Sequence, residues 1–204
     1  MVIWTILKKA LLDFWEDMLY LVIFNVAWLV GAMLVIPYPF MTFGLFYTAY
    51  DIGQGKGIKL STPFKYGKQT WKTAYIWGVI NLVVLILFWM NFRFYGGFEA
   101  QWAVVLQLFF LALTIFWVIL QLITLALYPR LVEPGFKLAI RNAAVIMARH
   151  PLVMLVLLMI IILLTVATLF ITAIAFVALF AFLAVLANSI VDVLVNRELK
   201  RLGE

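Results

Sequence analysis

The most restrictive feature of this sequence is an uninterrupted apolar segment near its carboxyl end. The 44 residues 152–195 contain no Lys, Arg, Glu, Gly or Pro, and Asp192 is their only charged residue. As a single helix this segment would be about 66 Å long, more than twice the thickness of a hydrocarbon core. We therefore expect it to fold back as two membrane spans, at 152–171 and 173–195, with a turn near residues 169–174.

The composition of the whole chain agrees with this expectation. Of the 204 residues 68% are hydrophobic and 12% are charged, and the mean hydropathy is +1.16. Soluble domains contain about half apolar and about a quarter charged residues. The composition therefore predicts an all-α, polytopic transmembrane helical bundle. The chain has no cysteine, so disulfides and thiolate metal sites are excluded.

The other apolar runs predict further helices within a single transmembrane domain, residues 1–204. Runs of about 20 residues are expected to span the bilayer, whereas shorter segments with one apolar and one charged face are expected at its interface. In chain order these are an interfacial helix at 2–17, spans at 19–36, 74–92 and 102–127, and an interfacial helix at 136–149, with a lysine-rich cytoplasmic loop at 54–73.

A proline break follows the first span. Pro37 and Pro39 lack backbone donors and force the helix to stop. The apolar helix expected at 40–53 would be about 21 Å long, which is short for a full crossing. It is therefore either a short second span or a re-entrant half-helix.

The distribution of Lys and Arg sets the orientation. With six spans both termini are cytoplasmic, and 14 of the 15 basic residues lie inside, with Arg93 alone outside. With five spans the amino end is outside, and the division is 12 against 3. Both alternatives satisfy the positive-inside rule, and both leave the loops at 54–73 and 128–150 and the carboxyl end in the cytoplasm. We prefer six spans in the plasma or inner membrane.

The broken helix is also where a ligand would be expected, because discontinuous helices are the best sequence indication of a binding site in transporters. Hydroxyl, carboxylate and aromatic groups there could bind the hydroxyls and rings of a sugar. Two structural alternatives remain open: an interhelical hydrogen bond for the asparagine, and interfacial anchoring for the aromatic residues. The candidate ligand residues are Asn25, Thr42, Gly44, Tyr47, Tyr50 and Asp51.

A second candidate surface is basic. The net charge is +6, and in a membrane protein this excess indicates anionic lipid headgroups or a soluble partner, not nucleic acid. The residues expected to form this surface are Lys56, Lys59, Lys65, Lys68, Lys72, Lys137, Arg141 and Arg149. No cluster of His and Cys and no pair of acids within the spans indicates catalysis, so we expect neither an enzyme nor a metal or cofactor site.

Short motifs carry a family resemblance over most of the chain. They are Asn25, Trp28-Leu29, the pattern Pro39-x-x-Thr42-x-Gly44, Thr48-Ala49, a Gly-rich basic turn, Phe64, Lys68, Arg141-Asn142-Ala143 and Pro151. In these the chain resembles the YesL-like family of small bacterial membrane proteins, although Leu45 and Phe46 replace the small residue or proline that often follows the glycine. The genes of that family often lie beside carbohydrate uptake genes. The resemblance thus implies an accessory or component of sugar uptake, with transporter subunits as partners; the alternative is a scaffold or regulatory protein acting through its basic surface.

Overall fold

The computed structural model describes residues 2–174 and 178–203. All regular secondary structure within these residues is helical. The prediction of an all-α fold is confirmed for these residues. The helices are α1 (Val2–Glu16), α2 (Met18–Met33), α3 (Tyr38–Gly53), α4 (Thr62–Tyr95), α5 (Gln101–Leu127), α6 (Phe136–Arg149), α7 (Pro151–Phe170) and α8 (Leu179–Leu202), with a 3₁₀ turn at Tyr128–Arg130.

Four of these helices, α4, α5, α7 and α8, are long and apolar enough to cross a membrane. A fifth crossing is counted if α1 and α2, which meet at an angle of 88°, act as one broken span. By length α3 is outside this set, because its 16 residues extend only about 24 Å. The structure therefore provides four to five helices of membrane-spanning length, and the six-span count stays a prediction.

The predicted loop at 54–73 is wrong in its second part, because α4 begins at Thr62 and is 34 residues long. Pro63 lies in the first turn of α4, where its missing donor leaves no hydrogen bond unmade. The lysines between residues 65 and 72 are thus carried on a helix that packs against α3, and only residues 54–61 connect the two helices.

Other boundaries also differ from the prediction. Helix α2 ends at Met33, before the predicted end at 36, and a tight turn over residues 34–37 leads into α3. Helix α7 ends at Phe170, inside the region predicted to turn. Helix α8 begins at Leu179 and continues to Leu202, whereas the predicted span covered 173–195. Residues 175–177 of that predicted span lie outside the described residues.

The centre of the bundle is formed by α3 and α8. Helix α3 buries eleven of its 16 residues and packs against α2, α4, α5 and α8. Its approach to α4 is close at Gly44, where a Cβ atom would lie 2.2 Å from the carbonyl oxygen of Pro63. A glycine is required there because that oxygen belongs to the backbone and cannot move aside as a flexible side chain would.

The two predicted interfacial helices form, and protein contacts account for part of their apolar surface. Helix α1 packs against α8 and buries Ile6 and Ala10. Helix α6 packs against α5 and buries Ala139, Ala143 and Met147. Their location at a membrane interface stays a prediction.

Asn25 connects α2 to the start of α8. Its Oδ1 accepts hydrogen bonds from the backbone N–H groups of Phe180, at 2.9 Å, and Ala181, at 3.0 Å. The first N–H groups of a helix have no partner within that helix, so a side chain from α2 caps α8 here. The ring of Trp28 stacks on Phe180 with their centroids 3.7 Å apart. Asn25 therefore makes the interhelical hydrogen bonds that were one of its two predicted roles.

Candidate functional site

A cluster of charged side chains surrounds the carboxyl end of α3, with Arg130 at its centre. The Arg130 Nη2 lies 3.2 Å from Asp192 Oδ1 and 3.1 Å from the carbonyl oxygen of Asn188. Its Nη1 donates to Asn188 Oδ1 at 2.7 Å and to the carbonyl oxygen of Ala126. The guanidinium carbon lies 4.7 Å from the centroid of the Tyr50 ring. Arg130 thus links the end of α5 to α8 and α3.

Asp192 connects the same cluster to the first helix. Its carboxylate receives a hydrogen bond from Gln54 Nε2 at 3.1 Å and lies 3.8 Å from Lys9 Nζ. Lys9 also pairs with Asp13 at 3.1 Å and donates to the carbonyl oxygen of Gly53 at 2.9 Å. One end of the bundle therefore brings together α1, α3, the end of α5 and α8.

Asp51 forms the other half of the cluster. Lys56 Nζ lies 3.1 Å from its Oδ1, and the Tyr66 hydroxyl donates a hydrogen bond to its Oδ2. The hydrogen bond to Asp51 and the charge of that carboxylate raise the pKa of the Lys56 ammonium. We call Lys9, Asp13, Asp51, Lys56, Arg130 and Asp192 the charged cluster.

The predicted ligand residues are divided between the two ends of α3. Tyr47 stacks on Tyr66 with ring centroids 4.9 Å apart, so Tyr47, Tyr50 and Asp51 all lie beside the charged cluster. Near the amino end of α3, Thr42 accepts a hydrogen bond from Trp28 Nε1 at 2.9 Å and donates to the Tyr38 carbonyl oxygen at 2.8 Å. Asn25 on α2 caps α8, and Gly44 packs against Pro63. Contacts within the protein therefore account for all the predicted ligand residues without a ligand.

Sequence reasoning missed the pairing of Arg130 with Asp192. Arg130 was counted only as one of the basic residues of the loop at 128–150, and Asp192 was noted only as the single charge in the apolar segment. A signal was nevertheless available, because a lone carboxylate within a 44-residue apolar run is costly without a partner. The sequence could have predicted that Asp192 has a cationic neighbour, although not which one, since Arg130 is 62 residues away.

A basic helical surface begins beside the charged cluster. On the first turns of α4 the side chains of Phe64, Lys65, Lys68, Trp71 and Lys72 are exposed, and we call these five residues the basic face. The Lys72 ammonium lies 5.7 Å from the centroid of the Trp71 ring. Of the other predicted basic residues, Lys59, Lys137 and Arg141 are exposed, Lys56 pairs with Asp51, and Arg149 lies 3.7 Å from Glu198.

The chemistry of the charged cluster is that of ion pairs between side chains. Its acids are each neighboured by a lysine or arginine, and each of its cations lies within 4 Å of a carboxylate oxygen. Within residues 2–174 and 178–203, no three His, Asp or Glu side chains form a group that could hold a metal ion.

Replacing Arg130 with alanine should destabilise the protein strongly. The change removes the principal partner of Asp192 and Asn188 in a half-buried site, so the cost should be about 3 kcal/mol, the lower end of what breaking a buried pair costs. We expect a lower midpoint of thermal unfolding in mild detergent. Arg141→Ala removes an exposed arginine from α6 and should leave the midpoint nearly unchanged. Equal midpoints for the two variants would contradict a stabilising role of Arg130.

Comparison of the chain with models of known protein families, with curated proteins and with solved structures gives no match.

Proposed function

We propose that this protein is a non-enzymatic accessory protein of the plasma or inner membrane that binds anionic lipid headgroups through its basic face. The observation that carries this proposal is the exposed surface at the start of α4, where Lys65, Lys68 and Lys72 alternate with Phe64 and Trp71. Lysines near an anionic membrane surface attract phosphate groups, and tryptophan is favoured at headgroup depth. A helix that combines both suits the boundary between an anionic leaflet and the cytoplasm.

The charged cluster supports a cytoplasmic position for both termini. Lys9 contacts Gly53 and Asp192, so α1 lies at the same end of the bundle as the carboxyl half of α8 and the loop at 54–61. That end also carries the basic face, and the positive-inside rule favours it as the cytoplasmic end. If both termini lie on one side of the membrane, the number of crossings is even. Helices α4, α5, α7 and α8 give four crossings, and the number rises to six if α2 and α3 cross as a short pair.

Cysteine labelling can test this orientation in the cysteine-free chain. We expect Lys8→Cys, Lys59→Cys and Arg197→Cys to be protected from a membrane-impermeant maleimide in intact cells. Gly97→Cys, in the connection between α4 and α5, should be labelled, and all four should react after permeabilisation. Labelling of Lys8→Cys in intact cells would contradict a cytoplasmic amino terminus.

Lipid selectivity tests the basic face directly. In nanodiscs of equal phosphatidylglycerol and phosphatidylcholine, native mass spectrometry should find the wild-type protein enriched in phosphatidylglycerol. The triple variant Lys65→Gln, Lys68→Gln, Lys72→Gln should lose at least about tenfold of this preference, because each lysine contributes about 1 kcal/mol near an anionic surface. Arg93→Gln, at the opposite end of the same helix, is the control and should retain the preference. An unchanged preference in the triple variant would contradict the proposal.

Carbohydrate uptake is the process we propose that this accessory protein serves. The support is the resemblance to the YesL-like family together with the contacts of α3. Thr42, Tyr47 and Asp51 are engaged by Trp28, Tyr66 and Lys56, which favours a supporting role over a sugar-binding site on this helix.

Cells lacking the protein should take up labelled oligosaccharides more slowly, and expression of the wild-type chain should restore the rate. Unchanged uptake across a broad panel of sugars would contradict the role in carbohydrate uptake. The lipid selectivity of the basic face is tested separately by the nanodisc measurement.

A further inference from the structure

A groove of about 420 Å³ lies at the opposite end of α3 from the charged cluster. It is bounded by the first turn of α3 and by the facing sides of α4 and α5, and its lining includes Tyr38, Pro39, Trp77 and Phe180. Its outer margin includes the exposed apolar side chains of Val79, Leu82 and Val118. The volume is within the usual range of small-molecule sites. Because its margin is apolar and exposed, the groove opens toward the lipid.

The polar groups of the groove wall form a directed chain of hydrogen bonds. Trp117 Nε1 donates to Asn81 Oδ1 at 2.9 Å, and Asn81 Nδ2 donates to the Trp77 carbonyl oxygen at 2.8 Å. Trp77 Nε1 then donates to Gln121 Oε1 at 2.8 Å. The next donor in this chain, Gln121 Nε2, is buried and has no acceptor among the described residues.

The orientation of the Gln121 amide is fixed by its neighbour. Rotating the amide by 180° would bring its NH₂ group against the indole N–H of Trp77, and two donors cannot bond to each other. The oxygen must therefore face Trp77, and the nitrogen remains without an acceptor. Gln121 is only 5% exposed, and a buried donor without an acceptor is unfavourable. An acceptor from a bound molecule would remove that cost.

The turn that borders the groove is strained. Val35 lines it and has a φ of 63°, a conformation that is unfavourable for a β-branched residue. The backbone N–H of Ile36, another lining residue, donates across this turn to the Leu34 carbonyl oxygen at 2.6 Å. Strained backbone of this kind is concentrated at sites that bind ligands, which agrees with a binding role for the groove.

We propose that the groove binds an ester-linked acyl chain of a membrane lipid, whose ester carbonyl oxygen accepts a hydrogen bond from Gln121 Nε2. The apolar walls suit the hydrocarbon chain. The chain of hydrogen bonds ends in a single unpartnered NH₂ group, so it calls for an acceptor oxygen such as a carbonyl and not for the several donating hydroxyls of a sugar. This proposal is independent of the basic face, because the carbonyl group and the hydrocarbon chain are uncharged.

A competition between ester and ether lipids tests the proposal. The full-length protein in mild detergent is mixed with equal amounts of dioleoyl phosphatidylcholine and its dialkyl ether analogue, which lacks both carbonyl oxygens, and the retained lipid is identified by native mass spectrometry. The wild type should retain the ester lipid about fivefold over the ether lipid, the factor expected for one net hydrogen bond. Equal retention by the wild type would overturn the proposal. The zwitterionic headgroup keeps this measurement separate from the test of the basic face.

Gln121→Leu should abolish the preference for the ester lipid. Gln107→Leu is the matched control, since Gln107 lies on the same helix and its Nε2 donates to the Phe92 carbonyl oxygen at 3.4 Å, away from the groove. A persistent ester preference in Gln121→Leu would overturn the proposal.

If Gln121→Leu fails to fold, Val118→Phe provides a second test, because it fills the groove and leaves the hydrogen-bond chain intact. It should reduce retention of both lipids relative to Val105→Phe, an exposed position on the same helix outside the groove. Full retention of both lipids by Val118→Phe would overturn the proposal.

Discussion

The pairing of Asp192 with Arg130 is the interaction on which the arrangement of this bundle depends. Asp192 is the only charge in a 44-residue apolar segment, and a carboxylate in such surroundings is costly unless cations and hydrogen-bond donors surround it. Arg130, Lys9 and Gln54 provide them from three other parts of the chain. Satisfying this one carboxylate therefore fixes which ends of α1, α3, α5 and α8 lie together.

The position of α3 follows from this constraint and from its own composition. A helix that is apolar on all sides must be buried in protein or surrounded by lipid, and α3 meets this requirement by packing among four other helices. Gly44 permits its close approach to α4, and Asp51 pairs with Lys56 where the helix ends. The first half of α4 in turn remains helical although it carries many lysines, because Gly67 packs against Phe40 and Tyr66 bonds to Asp51.

These contacts explain which features the sequence could predict. The bounds of α5, α6 and α7 differ by at most one residue from the predicted 102–127, 136–149 and 152–171, because length and local periodicity determine them. The start of α4 was missed although Pro63 in its first turn is a local signal of a helix start, because the packing on α3 that supports this part of α4 is not local. The groove was also beyond prediction: Asn81 and Gln121 were visible as polar residues within spans, but their indole partners Trp117 and Trp77 lie 36 and 44 residues away.

The charged cluster and the basic face differ in net charge. The cluster combines three cations, Lys9, Lys56 and Arg130, with three carboxylates, Asp13, Asp51 and Asp192, at the short distances of ion pairs. Its field largely cancels at a distance, so it holds helices together and attracts charged ligands weakly. The basic face instead exposes three lysines among aromatic residues. The attraction for an anionic surface therefore originates on α4, although the residues that first suggested a site lie on α2 and α3.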